Sequence, residues 1–172
     1  MKLIDLCCGE HPKQGFEGLD VRKKGNVKYV VDLNKGKLPF KNNSVDEFYE
    51  QNSFYELENP MQVIKECYRC LKVGGVLEFK EMHFSSPFAY LPYTKNFWAF
   101  SSARLFTPKY VRDYGWNWGI VSIDFDTGFE HSHPGISKVF KFVVNINKNF
   151  YEKHLSRIAP IFRVVYKLRK IN

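Results

Sequence analysis

No apolar stretch in the 172 residues reaches the roughly 18 that a membrane-spanning helix requires. The start of the chain also lacks the basic-then-apolar pattern of an export leader. A cytoplasmic protein without a membrane span is the expectation. Neither glycine fingerprint for phosphate is present: there is no G-x-G-x-x-G opening a helix and no G-x-x-x-x-G-K-[ST]. Cysteine is scarce and wrongly spaced for zinc. Cys7 and Cys8 are adjacent, while Cys67 and Cys70 fall inside a helical pattern, so no metal site is expected. His131 and His133, in EHSHPG, lack further ligands and read as loop residues. Acid is in deficit as well, with 18 Asp and Glu against 26 Lys and Arg. The resulting charge of +8 favours anionic partners without deciding the fold.

Aromatics are abundant instead, at 16 Phe, 10 Tyr and 3 Trp, and 44 % of the chain is hydrophobic. The length fits one domain spanning residues 1–172. Strands are expected at LIDL (3–6), FEGLDV (16–21), VKYVVDL (27–33), SVDEFYEQN (44–52) and VGGVLEFKEM (73–82). A helix is expected between the last two. Asn59 is its N-cap, Pro60 its first residue, and Ile64, Cys67, Tyr68 and Leu71 form its apolar face. Gly74-Gly75 are expected to end it. A helix between two apolar strands implies a parallel β-α-β unit. Further on, TPKYVRDYGW (107–116) and FYEKHLSRIA (150–159) read as helices, and SKVFKFVVNI (137–146) and FRVVYKLRKI (162–171) as strands.

The turn CCGEHPKQG after the first strand carries Glu10, which suits a cationic ligand better than a phosphate. Loops past the C-terminal ends of parallel strands are where open α/β sheets bind ligands. Asp5, Asp20 and Asp32 stand at three successive strand ends, Asp20 at the level of a ribose and Asp32 at that of a base. That spacing suits a nucleoside cofactor without a phosphate tail.

At this point LIDLCCGEHPKQGFEGLD, VVDLNKGKLPFKNNSVDEF, NSFYELENPMQVIKECYRCLKVGGVLEF and HFSSPFAY resemble, in order, four motifs of class I S-adenosylmethionine-dependent methyltransferases of the small type 11 group. The resemblance implies a Rossmann-like α/β fold: a mostly parallel seven-stranded sheet, an antiparallel C-terminal hairpin, and first crossover helices reduced to loops. It implies that Asp5, Cys7 and Gly9 form the turn at the methionine end of S-adenosylmethionine. Asp20 would hold the ribose, Asp32 and Leu33 would meet the adenine, and Gln51 and Asn52 would border the sulfonium. Two positions depart from the family: Cys7 stands for a glycine, and Asn52 for a histidine. The function implied is methyl transfer to an acceptor, a small molecule or glycan ahead of nucleic acid. A binding module on the same fold, without catalysis or for nucleic acid, is the alternative.

His83, just past the fifth strand, is the candidate general base, beside its reading as a structural histidine. Tyr90, Tyr93, Phe97, Trp98 and Phe100 read chiefly as core, and any left exposed would mark a homodimer interface.

Overall fold

The computed structural model of the chain describes residues 1–107, 115–128 and 134–172. Seven strands form one sheet in the order β3-β2-β1-β4-β5-β7-β6. They are β1 (Leu3–Leu6), β2 (Glu17–Asp20), β3 (Val27–Val30), β4 (Val45–Gln51), β5 (Leu71–Met82), β6 (Trp118–Asp126) and β7 (Arg163–Lys170). The first five run parallel, and β7 pairs antiparallel with both β5 and β6. This is the sheet implied by the resemblance. The turns that leave β1, β2, β3, β4 and β5 therefore share one edge, and β6 ends there where β7 begins.

One face of the sheet carries the core: Ile4, Leu6, Leu19, Phe48, Leu77 and Phe79 are all at or below 1 % exposure, and along β5 they alternate with the half-buried Glu78 and Lys80 of the other face. Only loops join β1 to β2 and β2 to β3, as the short spacing requires. The first loop closes tightly on the strand that follows it. A Cβ at Gly18 would fall 2.5 Å from Pro12 Cγ and 2.7 Å from Cys8 Sγ. Absence of a side chain there lets the turn lie where a helix would otherwise stand.

Helix α1 (Pro60–Cys70) joins β4 to β5, with the Asn59 side chain accepting from Gln62 N at 3.1 Å. Ile64, Cys67 and Cys70 are fully buried on its inner face. The expected stop at Gly74-Gly75 is corrected. The helix ends at Cys70, because Leu71 is drawn into the core and pairs with Val45. The glycine pair instead lies inside β5, where a Cβ at Gly75 would fall 3.0 Å from Asp46 O.

The C-terminal third holds the second correction. Residues 137–146, expected as a strand, belong to helix α2 (Pro134–Ile146). The partner of β7 is β6, in which Ile123 and Phe125 alternate with Ser122, Asp124 and Asp126. Asn145 shows why α2 is no strand of this sheet: its side chain accepts from Phe125 N at 2.9 Å and donates to Phe125 O at 3.2 Å. It thus occupies backbone groups that another strand would need. The expected helix at 150–159 appears as a short helix α3 (Lys148–Phe150) running into a π-turn over Tyr151–Leu155. The helix expected at 107–116 falls largely outside the described residues, as do His131 and His133. Of the aromatic stretch, Trp98 is core at 4 % exposure, whereas Tyr90, Tyr93 and Phe97 lie on the surface.

Gly18→Ala is expected to destabilise the fold by about 1–3 kcal/mol, since Pro12 and Cys8 must move away from the added methyl. Urea unfolding of the two proteins checks it.

Candidate functional site

The turn after β1 is fastened to β2 by its own backbone. Cys8 N donates to Leu19 O at 3.1 Å, and Gly9 N to Asp20 Oδ2 at 3.0 Å. Asp20 Oδ1 accepts from Arg22 N at 3.0 Å, while Asp20 O accepts from Val31 N at 2.9 Å. Asp32 then caps a single helical turn, Leu33–Lys35, by accepting from Asn34 N at 3.0 Å. Asp20 is thus the junction of three strand tips. Leu33 is turned into the core at 5 % exposure, so any contact it makes with a base runs through its backbone.

Cys7 and Gly9 both have positive φ, 52° and 59°. Left-handed backbone costs an L-residue roughly 1–2 kcal/mol, so Cys7 carries strain that a glycine would not. Nothing lies within 4 Å of a Cβ built at Gly9, so that side of the turn is open. Burial pushes the Cys7 thiol up to about 12 and the Cys8 thiol up to about 11. Both stay protonated at neutral pH and are poor nucleophiles.

A cavity of about 340 Å³ opens between the tips of β1 and β4, lined by Asp5, Cys7, His11, Lys13, Tyr49 and Gln51 among others. Asp5 is 5 % exposed and accepts from Lys13 N at 2.7 Å, and burial raises its pKa. Lys13 Nζ lies 3.9 Å from the centre of the Tyr49 ring, and Tyr49 OH donates to Gln51 Oε1 at 2.6 Å. Asn52 follows with φ 58°, its buried Oδ1 having no hydrogen-bond partner. The structure therefore brings Asp5, Cys7 and Gln51 together around one hollow. Gly9, Asp20 and Asp32 continue along the tips beside it. The second cavity on this edge, also about 340 Å³, lies at the tips of β5, β6 and β7 and is walled by Ser86, Phe88, Gly128, Ile161 and Phe162.

His83 stands apart from both hollows at 0 % exposure. Its Nδ1 lies 2.8 Å from Ser85 Oγ and accepts from Ser85 N at 3.2 Å, which leaves the ring proton on Nε2. Nε2 faces Glu152 Oε2 at 3.5 Å, an ion-pair distance too long for a hydrogen bond. The rings of Phe84 and Phe125 flank it. Among the described residues no cluster of His, Cys, Asp and Glu could hold a metal ion.

Sequence reading missed one pair of residues next to this site. Glu50 and Glu81, at the ends of β4 and β5, are both fully buried. Glu81 accepts backbone hydrogen bonds from Ser53 (3.2 Å), Phe54 (2.8 Å) and Tyr55 (3.2 Å), and Glu50 accepts from Ser53 N at 2.7 Å. Both carboxylates thus meet on one N–H. Glu50 Oε2 has no other partner. Among the described residues, Cys7, Tyr49, Tyr55, Cys67 and Tyr166 are titratable groups that feel the pair; their own pKa values are pushed up, so each is neutral. With no cation at hand, two buried carboxylates cannot both ionise, and the pair retains a proton. Burial raises both, Glu50 to about 7. The missed signal was parity: Phe48 and Glu50, like Leu77, Phe79 and Glu81, share the inward-facing alternation of their strands.

A carboxyl with a raised folded-state pKa contributes fully below its unfolded value, 4.5, and loses that contribution as pH rises to about 7. Glu50→Gln is therefore expected to gain on the native protein by on the order of 1–3 kcal/mol between pH 5 and pH 8. Urea midpoints at the two pH values measure it, and equal shifts in both proteins would contradict the shared proton.

Comparison with known proteins agrees with this geometry. The methyltransferase-domain family model matches residues 16–79. No protein of curated function matches in sequence. Among solved structures, a SAM-dependent methyltransferase from Archaeoglobus fulgidus superposes with a TM-score of 0.63 at 16 % identity, covering 98 % of this chain and 86 % of that one. A putative methyltransferase of Haloferax volcanii, solved with the Trm112 methyltransferase activator, gives 0.63 at 16 % identity over 99 % of this chain and 82 % of that one. A putative sarcosine dimethylglycine methyltransferase from Galdieria sulphuraria gives 0.61 at 16 % identity over 98 % and 78 %. At such identities the likeness is one of fold, and residues 16–79 of this chain are similar to the methyltransferase-domain family.

Proposed function

We propose that this chain binds S-adenosylmethionine across the tips of β1 to β4 and transfers its methyl group to a small acceptor. The polar hollow between β1 and β4 is the observation that carries the reading, since the Asp5 carboxyl in its wall and the open Gly9 side suit a ligand bearing an ammonium. Asp5, Cys7 and Gly9 take the methionine end. Asp20 accepts the ribose hydroxyls through the lone pairs left free by Gly9 and Arg22. Asp32 and the backbone of Leu33 meet the adenine, and Gln51 and Asn52 border the sulfur. The cofactor supplies an activated methyl on a positively charged sulfur. These residues hold it in line and keep water away, and alignment of that kind is worth on the order of 7–11 kcal/mol.

The acceptor lies in the apolar hollow at the tips of β5, β6 and β7. Phe88, Ile161 and Phe162 favour a small molecule with an apolar part over a glycan, and over nucleic acid, whose phosphates find no cation among the described residues of those walls. His83 is the candidate base, and its burial argues for a different assignment: its ring fixes the loop after β5 through Ser85 and packs against Phe84 and Phe125. Proton removal, where the acceptor needs it, falls to the acceptor itself or to water. Four unpaired cysteines fit the reducing cytoplasm as the place of work.

Asp20→Ala is expected to weaken S-adenosylmethionine binding by about 1–3 kcal/mol, the cost of unpaired hydroxyls, with the chain still folded. Calorimetry reads the affinity, and an unchanged value would overturn the ribose assignment. Incubation with labelled cofactor and cell extract should place label in the small-molecule fraction. Label confined to nucleic acid would refute the acceptor reading.

A further inference from the structure

Helix α2 turns an apolar stripe outward. Val139, Phe142, Val143 and Ile146 recur at i, i+3, i+4 and i+7, and they are 65, 69, 52 and 68 % exposed. Such spacing ordinarily marks the face a helix buries. Here the helix buries Val144 and binds β6 through Asn145, so the stripe lies on the opposite side. Phe150 and Ile158, in the segment that follows the helix, are also exposed, at 54 and 81 %.

Charge along the same segment is one-sided. Residues 134–158 carry five basic side chains: Lys138, Lys141, Lys148, Lys153 and Arg157. Their one acid is Glu152, whose carboxylate turns inward to Ser101 N and His83. Lys148 is answered by Asp124 at 3.3 Å, whereas Lys138, Lys153 and Arg157 are exposed beside the stripe.

We propose that this stripe seats the protein on an anionic lipid bilayer, with Val139, Phe142, Val143, Ile146, Phe150 and Ile158 dipping among the acyl chains. The flanking cations stay with the headgroups. Among the described residues no helix is long and apolar enough to cross a membrane, and the contact proposed is one of surface. An exposed apolar face bordered by lysine and arginine is the composition that lies in the interfacial plane, and each cation near an anionic leaflet adds to the attraction. A second copy of the chain fits less well. In a two-fold pair the patch meets itself, so Lys138, Lys153 and Arg157 would face their own kind. Lipid also accepts a row of Phe, Val and Ile without a matching pocket.

Vesicle sedimentation tests this on the full-length chain, with vesicles of phosphatidylcholine alone and of phosphatidylcholine mixed with phosphatidylglycerol. The native protein is expected to sediment with the mixed vesicles at least about tenfold better than with the neutral ones, and to be released by salt. Phe142→Glu with Ile146→Glu should abolish binding. Lys153→Glu with Arg157→Glu should weaken it while leaving S-adenosylmethionine affinity by calorimetry unchanged. All four positions are exposed, so the fold is expected to survive, and unfolding midpoints verify that. Absence of binding to either vesicle, or equal binding by the Phe142→Glu, Ile146→Glu variant, overturns the proposal. So does a dimer in sedimentation velocity that the same variant dissociates, because the stripe would then belong to a second copy.

Discussion

One carboxylate, that of Glu81, organises the chain beyond β4 by accepting three consecutive backbone N–H groups, from Ser53 to Tyr55. The loop so gathered is the one that must cross from the sheet to α1. It carries Asn52 in a left-handed conformation on one side and sends Phe54 fully into the core on the other, against Phe79 and Trp98. A buried carboxylate is costly unless its charge is matched. Here hydrogen bonds and a proton held with Glu50 do the matching in place of a cation. The β4 tip, which lines the polar hollow, therefore adjoins a polar cluster that is itself buried.

Much of this architecture was legible because local signals agreed with one another. The Asn59-Pro60 start and the buried face of Ile64 and Cys67 point to one helix, whereas the short spacing between the first three strands allows two arrangements, of which the resemblance favours loops. Legibility ended where two periodicities overlapped. Val139, Phe140, Phe142, Val143 and Val144 supply enough β-branched and aromatic residues to mimic a strand, yet their spacing is equally helical. Tertiary context decided it, since Phe125 was already engaged by the Asn145 side chain. The true sixth strand was hidden because Ser122, Asp124 and Asp126 dilute its apolar content, even though Ile123 and Phe125 alternate into the core. Of the site, Asp5, Cys7 and Gln51 could be placed from motif order alone. Lys13, Tyr49 and the Glu50–Glu81 pair could not, because their roles arise from neighbours distant in sequence.

The two hollows on the strand-tip edge differ in character in a way the sheet order explains. The tips of parallel strands β1 to β4 and the turns that follow them carry Asp5, Lys13, Asp20 and Gln51, which makes a polar cradle. The antiparallel pair β6 and β7 brings Gly128 against Phe162, where a Cβ would fall 2.8 Å from the ring's own Cβ, so apolar side chains meet closely there. A reversed final strand thus places a greasy pocket next to a charged one along a single edge. Reactions that join a charged donor to a less polar acceptor need that juxtaposition.

The Asn145 contact with β6 has a consequence for how the chain behaves in a crowded solution. Strand β6 is a rim of the sheet, and an uncovered rim offers its amides to any other chain that can extend alongside. A carboxamide reproduces one peptide unit in miniature, donor and acceptor together. By clasping Phe125 in both directions, this one side chain caps the ladder at a rim that would otherwise invite intermolecular β-pairing and fibril growth.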